Sequence, residues 1–204
     1  MMAPSAKGQA TRERIVRVAN DLFHRQGYHA TGLEQVLREA GVAKGSFYHH
    51  FRNKEALALA VLDWHIERAT EELGFSDISS DRSPRQDLID LIRRILDQRV
   101  SCAGDDCRIR GCLFGNFALE LSLVSETVRC RVNAIFDRFR DLLAGLIEQG
   151  QEMGEIPERF PARQLASMIL GLMEGAVLLD KARQELSDSQ LAVEFIADYL
   201  DCAT

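Results

Sequence analysis

The sequence has no long uninterrupted run of hydrophobic residues. No stretch of about 18 apolar residues occurs, so no segment resembles a membrane-spanning helix. The first residues are polar and include Pro4, Lys7 and Gly8, which is unlike a secretory signal peptide. Hydrophobic residues still make up 46% of the 204 residues, enough for a real core. We therefore expect a globular, cytoplasmic protein with no membrane partner.

Cysteines are few and odd in number, and histidine is scarce beyond the first quarter of the chain. The five cysteines are Cys102, Cys107, Cys112, Cys130 and Cys202. An odd count argues against a disulfide framework, and free thiols are expected. Structural zinc prefers cysteine pairs about two to four residues apart, which this spacing does not offer, so no metal site is predicted. His65 is the single histidine outside residues 1–54 that could serve a cysteine nucleophile, so neither an enzyme nor a cofactor is predicted.

The chain also lacks an excess of positive charge, but its charge is unevenly distributed. Residues 1–54 hold nine Lys or Arg against four Asp or Glu, a net of +5. The rest holds 16 Lys or Arg against 27 Asp or Glu, a net of -11, which gives the overall -6. A basic head on an acidic body is typical of a modular DNA-binding protein. The alternative is that the asymmetry reflects ordinary solvated faces.

Three short helical patterns occupy the basic head. The first runs from about residue 11 to 25, with an apolar stripe from Ile15 to Phe23 and a stop at Gly27. The second opens at Thr31, which forms a capping-box pattern with Glu34. The third begins near residue 43 or 44. Its helical periodicity turns Phe47 and Phe51 inward and leaves five residues facing outward, namely Lys44, Gly45, Ser46, Tyr48 and His49. This arrangement predicts a helix-turn-helix whose third helix suits the major groove, although a small helical subdomain without DNA-binding activity gives the same inward phenylalanines.

The same residues resemble the DNA-binding signature of the tetracycline-repressor (TetR) family of bacterial transcriptional regulators. The resemblance covers roughly residues 11–60 and rests on Thr31, the segment Gly41-Val-Ala-Lys-Gly-Ser-Phe-Tyr-His-His-Phe51 and the segment Asn53-Lys-Glu-Ala-Leu57. It implies that the five outward residues of the third helix meet the operator. It also implies that Thr31 and Lys54, at the starts of the second and fourth helices, hold phosphates, as helix N-termini favour anions.

The remaining chain predicts six further helices. A fourth runs from about 53 to 73, followed by a polar linker at 74–83, a fifth helix from Ser83-Pro84 to near residue 100, and a sixth that begins near Cys112. The seventh, eighth and ninth span about 125–152, 162–183 and 188–200. We expect an all-α fold of about nine helices, with a helix-turn-helix DNA-binding domain at residues 1–54 and a helical ligand-binding and dimerisation domain at 55–204.

The last two helices are apolar although the body already has material for a core. Two such helices from each of two subunits predict a four-helix dimer interface at 162–183 and 188–200, and helices at these positions form the dimer interface in the family that the head resembles. The alternative is that they complete the core of the monomer. Gly171 and Gly175 lie one turn apart and would allow a partner helix to approach closely.

A ligand or sensing site is expected among the fourth to eighth helices. Its candidate residues are Trp64, Cys112, Phe114, Phe117, Phe136 and Met168. Cys112 falls at the start of the sixth helix near Arg108 and Arg110, a setting that lowers a thiol pKa and favours reaction with electrophiles or oxidants. The alternative is a small buried hydrophobic side chain. The segment 111–116 with Glu120 also resembles, more weakly, an electrophile-responsive TetR subgroup.

Together these patterns predict a ligand-responsive regulator, most simply a repressor. It would bind a palindromic operator on double-stranded DNA as a homodimer and be released by a small hydrophobic or electrophilic inducer. One alternative is a thiol-based redox or electrophile sensor that acts through Cys112 rather than through a reversible ligand. More remote alternatives are a helical adaptor that does not bind DNA and a thiol enzyme.

Overall fold

The computed structural model describes residues 6–73, 82–97 and 108–201. Within these ranges the secondary structure is entirely α-helical, and the helices are α1 Ala6–Gln26, α2 Leu33–Ala40, α3 Lys44–His50, α4 Lys54–Leu73, α5 Pro84–Asp97, α6 Leu113–Leu121, α7 Glu126–Glu152, α8 Ala162–Arg183 and α9 Asp188–Tyr199. The predicted all-α class and its nine helices are confirmed. Most of the predicted linker at 74–83, and Cys102, Cys107 and Cys202, lie outside the described residues. In the described part of the chain, no helix is long and apolar enough to cross a membrane.

Two compact units divide the chain. One contains Met1–Ala69 together with Leu113–Asn133, and the other contains Thr70–Cys112 together with Ala134–Thr204. The predicted division into residues 1–54 and 55–204 is functional and stays a prediction. The compact units cut across it because α6 and the first turns of α7 group with the N-terminal helices.

The first unit is built around the apolar side of α1. Its largest fully buried side chains include Ile15, Leu22 and Phe23 from α1 and Phe47 from α3. Phe51, just after α3, is also buried, which confirms that both phenylalanines of the third helical pattern face inward. Burial of this kind is the main stabilising term for a three-helix head, because helices this short are marginal alone.

Three helices begin with a side-chain cap from Asn or Ser, residues that favour helix N-termini. The Asn53 side chain accepts the Ala56 N–H at 2.8 Å, Ser83 Oγ accepts the Gln86 N–H at 3.2 Å, and Ser125 Oγ accepts the Val128 N–H at 3.2 Å. Each cap satisfies an N–H group that has no partner within its helix.

The capping box predicted at Thr31 is wrong. The helix α2 begins two residues later, with Gly32 as its N-cap and no side-chain cap. The Thr31 side chain is fully buried, and its hydroxyl donates to the Gly27 carbonyl at 2.7 Å. The hydroxyl therefore closes the end of α1 instead of opening α2, a choice that a local capping pattern cannot reveal.

In the second unit, α9 packs on α5 and α8. The N-terminus of α9 is held by Asp180 of α8, whose buried carboxylate accepts the N–H groups of Ser187, Asp188 and Ser189 at 3.0, 2.8 and 3.1 Å. At the opposite end of α9, the Arg85 guanidinium donates to backbone carbonyls near its C-terminus. Both ends of α9 are thus matched to charges of the sign that the helix dipole favours.

Asp180→Ala should lower the free energy of unfolding by about 2 to 3 kcal/mol, because three N–H groups lose a charged acceptor. For a chain of this size, that corresponds to a fall in melting midpoint of roughly 4 to 10 °C in circular dichroism melts. Asp198→Ala, which removes an exposed carboxylate from α9, is the matched control and should stay within about 0.5 kcal/mol of the parent protein. Equal losses in the two variants would contradict the capping role.

Candidate nucleic-acid interface

The outer face of α3 is polar and open to solvent. Lys44, Gly45 and His49 are exposed, Tyr48 is 51% exposed, and Ser46 is partly exposed. A Cβ placed on Gly45 would meet no atom within 4 Å, so this glycine is not required by packing inside the molecule. The five residues predicted to face outward therefore share one accessible surface, which we call the α3 face.

The last turn of α3 carries two adjacent histidines. The rings of His49 and His50 lie 5.1 Å apart, centroid to centroid. Burial, and then the nearby His49 and Arg12, lower the pKa of His50 below its ordinary value of 6.5. His50 is therefore neutral at neutral pH and adds a hydrogen-bonding group rather than a charge beside the α3 face.

Thr31 and Lys54, the two predicted phosphate contacts, are both engaged inside the first unit. The Thr31 hydroxyl is buried as described above. Lys54 Nζ donates to the Tyr28 carbonyl at 2.6 Å and lies 4.0 Å from the centroid of the Tyr28 ring. Burial lowers the pKa of the Lys54 ammonium, and the Glu120 carboxylate acts in the opposite direction. Phosphate binding at either position stays a prediction.

Helix α2 is fastened to α1 by side-chain amides that the sequence patterns do not single out. Gln26 Nε2 donates to Gln35 Oε1 at 2.8 Å, and Gln35 Nε2 donates to Glu39 at 3.0 Å. Arg25 adds an exposed ion pair with Glu39 at 3.8 Å. This network supports the position of α2, and hence of α3, from the solvent side. Gln26 and Gln35 are nine residues apart on different helices, so no helical periodicity connects them.

Three of the six candidate ligand or sensing residues belong to the first unit. Phe117 is 1% exposed, and its ring centroid lies 5.8 Å from that of Phe23. Phe114 is also buried and packs edge-on against the His65 ring at 5.2 Å. Trp64 is partly exposed, with the Arg68 guanidinium 5.2 Å above its ring. Phe114 and Phe117 thus pack α6 within the head, and their predicted role against a ligand stays a prediction.

The other three candidates, Cys112, Phe136 and Met168, belong to the second unit. Met168 differs from the other two because it is exposed. Cys112 is 5% exposed and directly precedes α6, while Phe136 is partly buried on α7. Met168 is 55% exposed on α8, in a groove of about 240 Å³ between α8 and α9. The residues lining that groove are Leu165, Met168, Ile169, Leu172, Phe195, Ile196 and Tyr199.

The segment before α6 is tied to the end of α8. The Gln184 side chain accepts the Ile109 N–H at 3.0 Å and donates to the Ile109 carbonyl at 3.1 Å. The Lys181 side chain passes so close to Gly111 that a Cβ there would lie 2.9 Å from Lys181 Cδ, and Gly111 has a φ of +76°. Cys112 therefore follows a segment whose backbone is held in one conformation. Among the described cysteines, Cys130 on α7 is exposed.

The outward side of α8 and α9 is apolar. Six large hydrophobic residues there are between 38% and 62% exposed, namely Met168, Leu172, Leu178, Leu179, Leu191 and Phe195. Gly171 and Gly175 are exposed on α8, and a Cβ on either would meet nothing within 4 Å. Met168, Leu172 and Phe195 line the same groove, and an exposed apolar surface of this kind is typical of a protein interface.

Comparison with known proteins agrees with this arrangement in both parts of the chain. The family model for bacterial regulatory proteins of the tetR family matches residues 15–61, and the tetracyclin repressor-like C-terminal domain matches residues 89–196. The HTH-type transcriptional regulator YxaF of Bacillus subtilis is 31% identical over 188 residues, covering 91% of this chain and 93% of that protein. The transcriptional repressor DhaR of a Mycobacterium species is 29% identical over 189 residues, with 91% of each chain covered.

Solved structures show the same fold. A TetR transcriptional regulator from Chloroflexus aurantiacus superposes with a TM-score of 0.82 at 30% identity, covering 95% of both chains. The reduced form of Escherichia coli NemR superposes with a TM-score of 0.79 at 28% identity, covering 93% of this chain and 96% of that one.

The family match and the named relatives, which agree with the polar α3 face on a helical head, identify a helix-turn-helix transcriptional regulator rather than an enzyme. More specifically, the chain belongs to the TetR family of bacterial regulators. The resemblance seen in residues 11–60 is thereby confirmed and extends over most of the chain.

Proposed function

We propose that two copies of this chain bind a palindromic operator through their α3 faces and repress transcription in the cytoplasm until an inducer lowers the affinity. The observation that carries this proposal is the contrast within α3, where Phe47 is 0% exposed and Tyr48 is 51% exposed. The buried phenylalanine anchors the helix, so that lysine, tyrosine and histidine side chains present hydrogen-bond donors outward. Major-groove base edges and phosphates are suitable acceptors for those donors.

Dimerisation is proposed through the apolar surface of α8 and α9. We expect a second copy of the chain to cover this surface. One helix-turn-helix contacts only a few base pairs, whereas a two-fold dimer contacts two half-sites about 34 to 36 Å apart. The exposed Gly171 and Gly175 leave room for close approach of a partner helix. Two helices from each subunit would then form a four-helix interface.

Control by an inducer needs only a modest energetic bias. A small hydrophobic or electrophilic compound that binds the form unable to bind DNA would reduce operator affinity through a coupling of about 1 to 3 kcal/mol. The proposed contacts with the inducer remain Trp64, Cys112, Phe114, Phe117 and Phe136. Met168 is better assigned to the dimer surface, because it is exposed beside Phe195.

Tyr48→Ala should weaken binding by about 5- to 150-fold to a duplex that the parent protein selects from a randomised pool, because a side chain of the α3 face is lost. Fluorescence anisotropy measures the affinity, and the dimer should persist. Phe160→Ala, which truncates an exposed aromatic outside the head, is the control and should bind as the parent does. Unchanged binding by Tyr48→Ala would contradict the assigned face. Parent binding that does not weaken as salt rises would exclude DNA binding and favour an adaptor.

Phe195→Glu should convert the dimer to monomers in sedimentation velocity, because it places a charge in the middle of the apolar α8 and α9 surface. Operator affinity should fall with it, since each monomer then binds one half-site. Leu123→Glu makes the same change at a fully exposed residue after α6 and is the matched control, which should remain dimeric. If Phe195→Glu stays dimeric at micromolar concentration, the interface lies elsewhere.

A thiol sensor is the second candidate function, and the position of Cys112 favours it. The residue directly precedes α6, where the positive end of the helix dipole stabilises a thiolate. In the reaction with a maleimide, the thiolate would add across the carbon-carbon double bond, forming a C–S bond while the ring carbon takes up a proton. The side chain is only 5% exposed, so the reaction requires local opening around it.

N-ethylmaleimide should release the DNA from the parent protein and from Cys130→Ser, but not from Cys112→Ser. Cys130 is the matched control because it is the exposed thiol among the described cysteines. Electrophoretic mobility shift with and without the reagent, together with mass spectrometry of the adduct, makes the comparison. Release from Cys112→Ser would place sensing at another residue and leave the reversible-ligand mechanism as the better account.

A further inference from the structure

The carboxylate of Glu120 joins α6 to the turn between α1 and α2. Its Oε1 accepts the Tyr28 N–H at 3.0 Å, and its Oε2 accepts the His29 N–H at 2.8 Å. The backbone carbonyl of Glu120 also lies 3.3 Å from His29 Nε2. All of these atoms belong to the first unit. With these three contacts to two adjacent residues, the turn is a point where α6 engages the N-terminal helices by hydrogen bonds.

The turn is shaped to receive an anion. Gly27 has a φ of +91°, and the two following N–H groups donate to the two oxygens of one carboxylate, an arrangement similar to the backbone nests that bind phosphates and carboxylates. A Cβ on Gly27 would lie 2.8 Å from Glu120 Oε1, so the close approach of the carboxylate also requires glycine. The charged acceptor makes both hydrogen bonds stronger than those to a neutral group.

The same turn is held from its other side by α4. Lys54 Nζ donates to the Tyr28 carbonyl at 2.6 Å, and the Thr31 N–H donates to that same carbonyl at 3.2 Å. Two residues after Thr31 the chain enters α2, which is followed by α3. The backbone of Tyr28 and His29 is therefore the place where α4 and α6 together set the direction in which α2 and α3 leave α1.

These contacts differ from ordinary core packing. Glu120 bonds to backbone groups in a turn where Tyr28 is partly exposed and His29 is exposed. The hydrophobic core of α1 to α3, with Ile15, Leu22 and Phe47, does not include this carboxylate. Losing the carboxylate should therefore let the turn change its conformation while the helices of the head stay folded.

We propose that Glu120 is a positioning residue for DNA binding, whose carboxylate holds the turn between α1 and α2 in the geometry that docks α3 on the operator. This rests on the proposed function. The role of Glu120 also extends the proposed function, because operator affinity then depends on the position of α6. Glu120 is about 10 Å along α6 from Leu113, the residue after Cys112. Any event that moves α6 along or about its axis thus acts on the turn through this side chain, in addition to the contact between the Phe117 and Tyr28 rings.

The test compares Glu120→Ala and Glu120→Gln with the parent protein, using the duplex selected from the randomised pool. Glu120→Ala should bind that duplex about 10-fold more weakly or worse, because two charge-assisted hydrogen bonds to the turn are lost. Glu120→Gln, which retains the size and one acceptor, should lose less. Amide hydrogen exchange at Tyr28 and His29 should become faster in both variants. The melting midpoint and the exchange of α1 should stay near parent values.

Glu126→Ala and Glu126→Gln are the matched controls. Glu126 lies on the first turn of α7, its side chain is 84% exposed, and its ion pair is a surface contact with Arg129 at 3.4 Å. These controls remove the same charge from the same unit and should leave DNA affinity and the exchange of Tyr28 and His29 unchanged. If Glu120→Ala fails to fold, Glu120→Gln carries the comparison alone.

Parent-like affinity in both Glu120 variants, with salt-dependent binding by the parent, would overturn this proposal and leave the proposed function standing. Weakened binding accompanied by faster exchange throughout α1 to α3 and a large fall in melting midpoint would also overturn it, because Glu120 would then act on stability alone. If the parent binds no duplex, both fall together, and that failure is recognised in the parent before any variant is made.

Discussion

The burial of Phe47 is the interaction on which the α3 face, the proposed DNA-binding surface, depends. Helix α3 has only seven residues, too few to be stable by its own hydrogen bonds in water. Its orientation is therefore determined by Phe47 and Phe51, which pack into the core of α1 and α2. With those two side chains inside, Lys44, Tyr48 and His49 can only face solvent. The exposure of the α3 face is thus a consequence of core packing on the opposite side of the same helix.

Helix α6 belongs to the head as a matter of packing, although it lies far from it in sequence. Phe117 contributes an aromatic ring to the cluster around Phe23, and Glu120 reaches the turn after α1 with a charged group. An ion pair between Arg131 and Asp63, at 2.6 Å, joins the start of α7 to α4 in the same unit. The contacts of α6 with Phe23 and the turn after α1, and of α7 with α4, therefore hold the first unit together.

The proposed dimerisation accounts for the apolar surface of α8 and α9, which the fold of one chain does not require. The core of the second unit already buries Leu165, Ile169 and Ile196, while Leu172 and Phe195 on the same two helices remain exposed. Leaving such residues in water is unfavourable by roughly 25 cal/mol for each Å² of apolar surface. A second copy that covers this surface would remove the free-energy cost of the exposed apolar area for both chains at once.

The sequence by itself determined the helices, the inward phenylalanines and the family, because these depend on residues three or four apart or on one contiguous motif. Helical periodicity places Phe47 and Tyr48 on opposite sides whatever the rest of the chain does, and Asn53 caps the next helix through an interaction three residues long. Only the tertiary structure decided the partners of Thr31, Lys54, Glu120 and Met168. Thr31 had a local pattern that predicted a cap, yet its hydroxyl bonds to the end of α1. Glu120 meets Tyr28 across 92 residues of sequence. No local pattern encodes such a contact, because it exists only once α1, α4 and α6 have packed around the same turn.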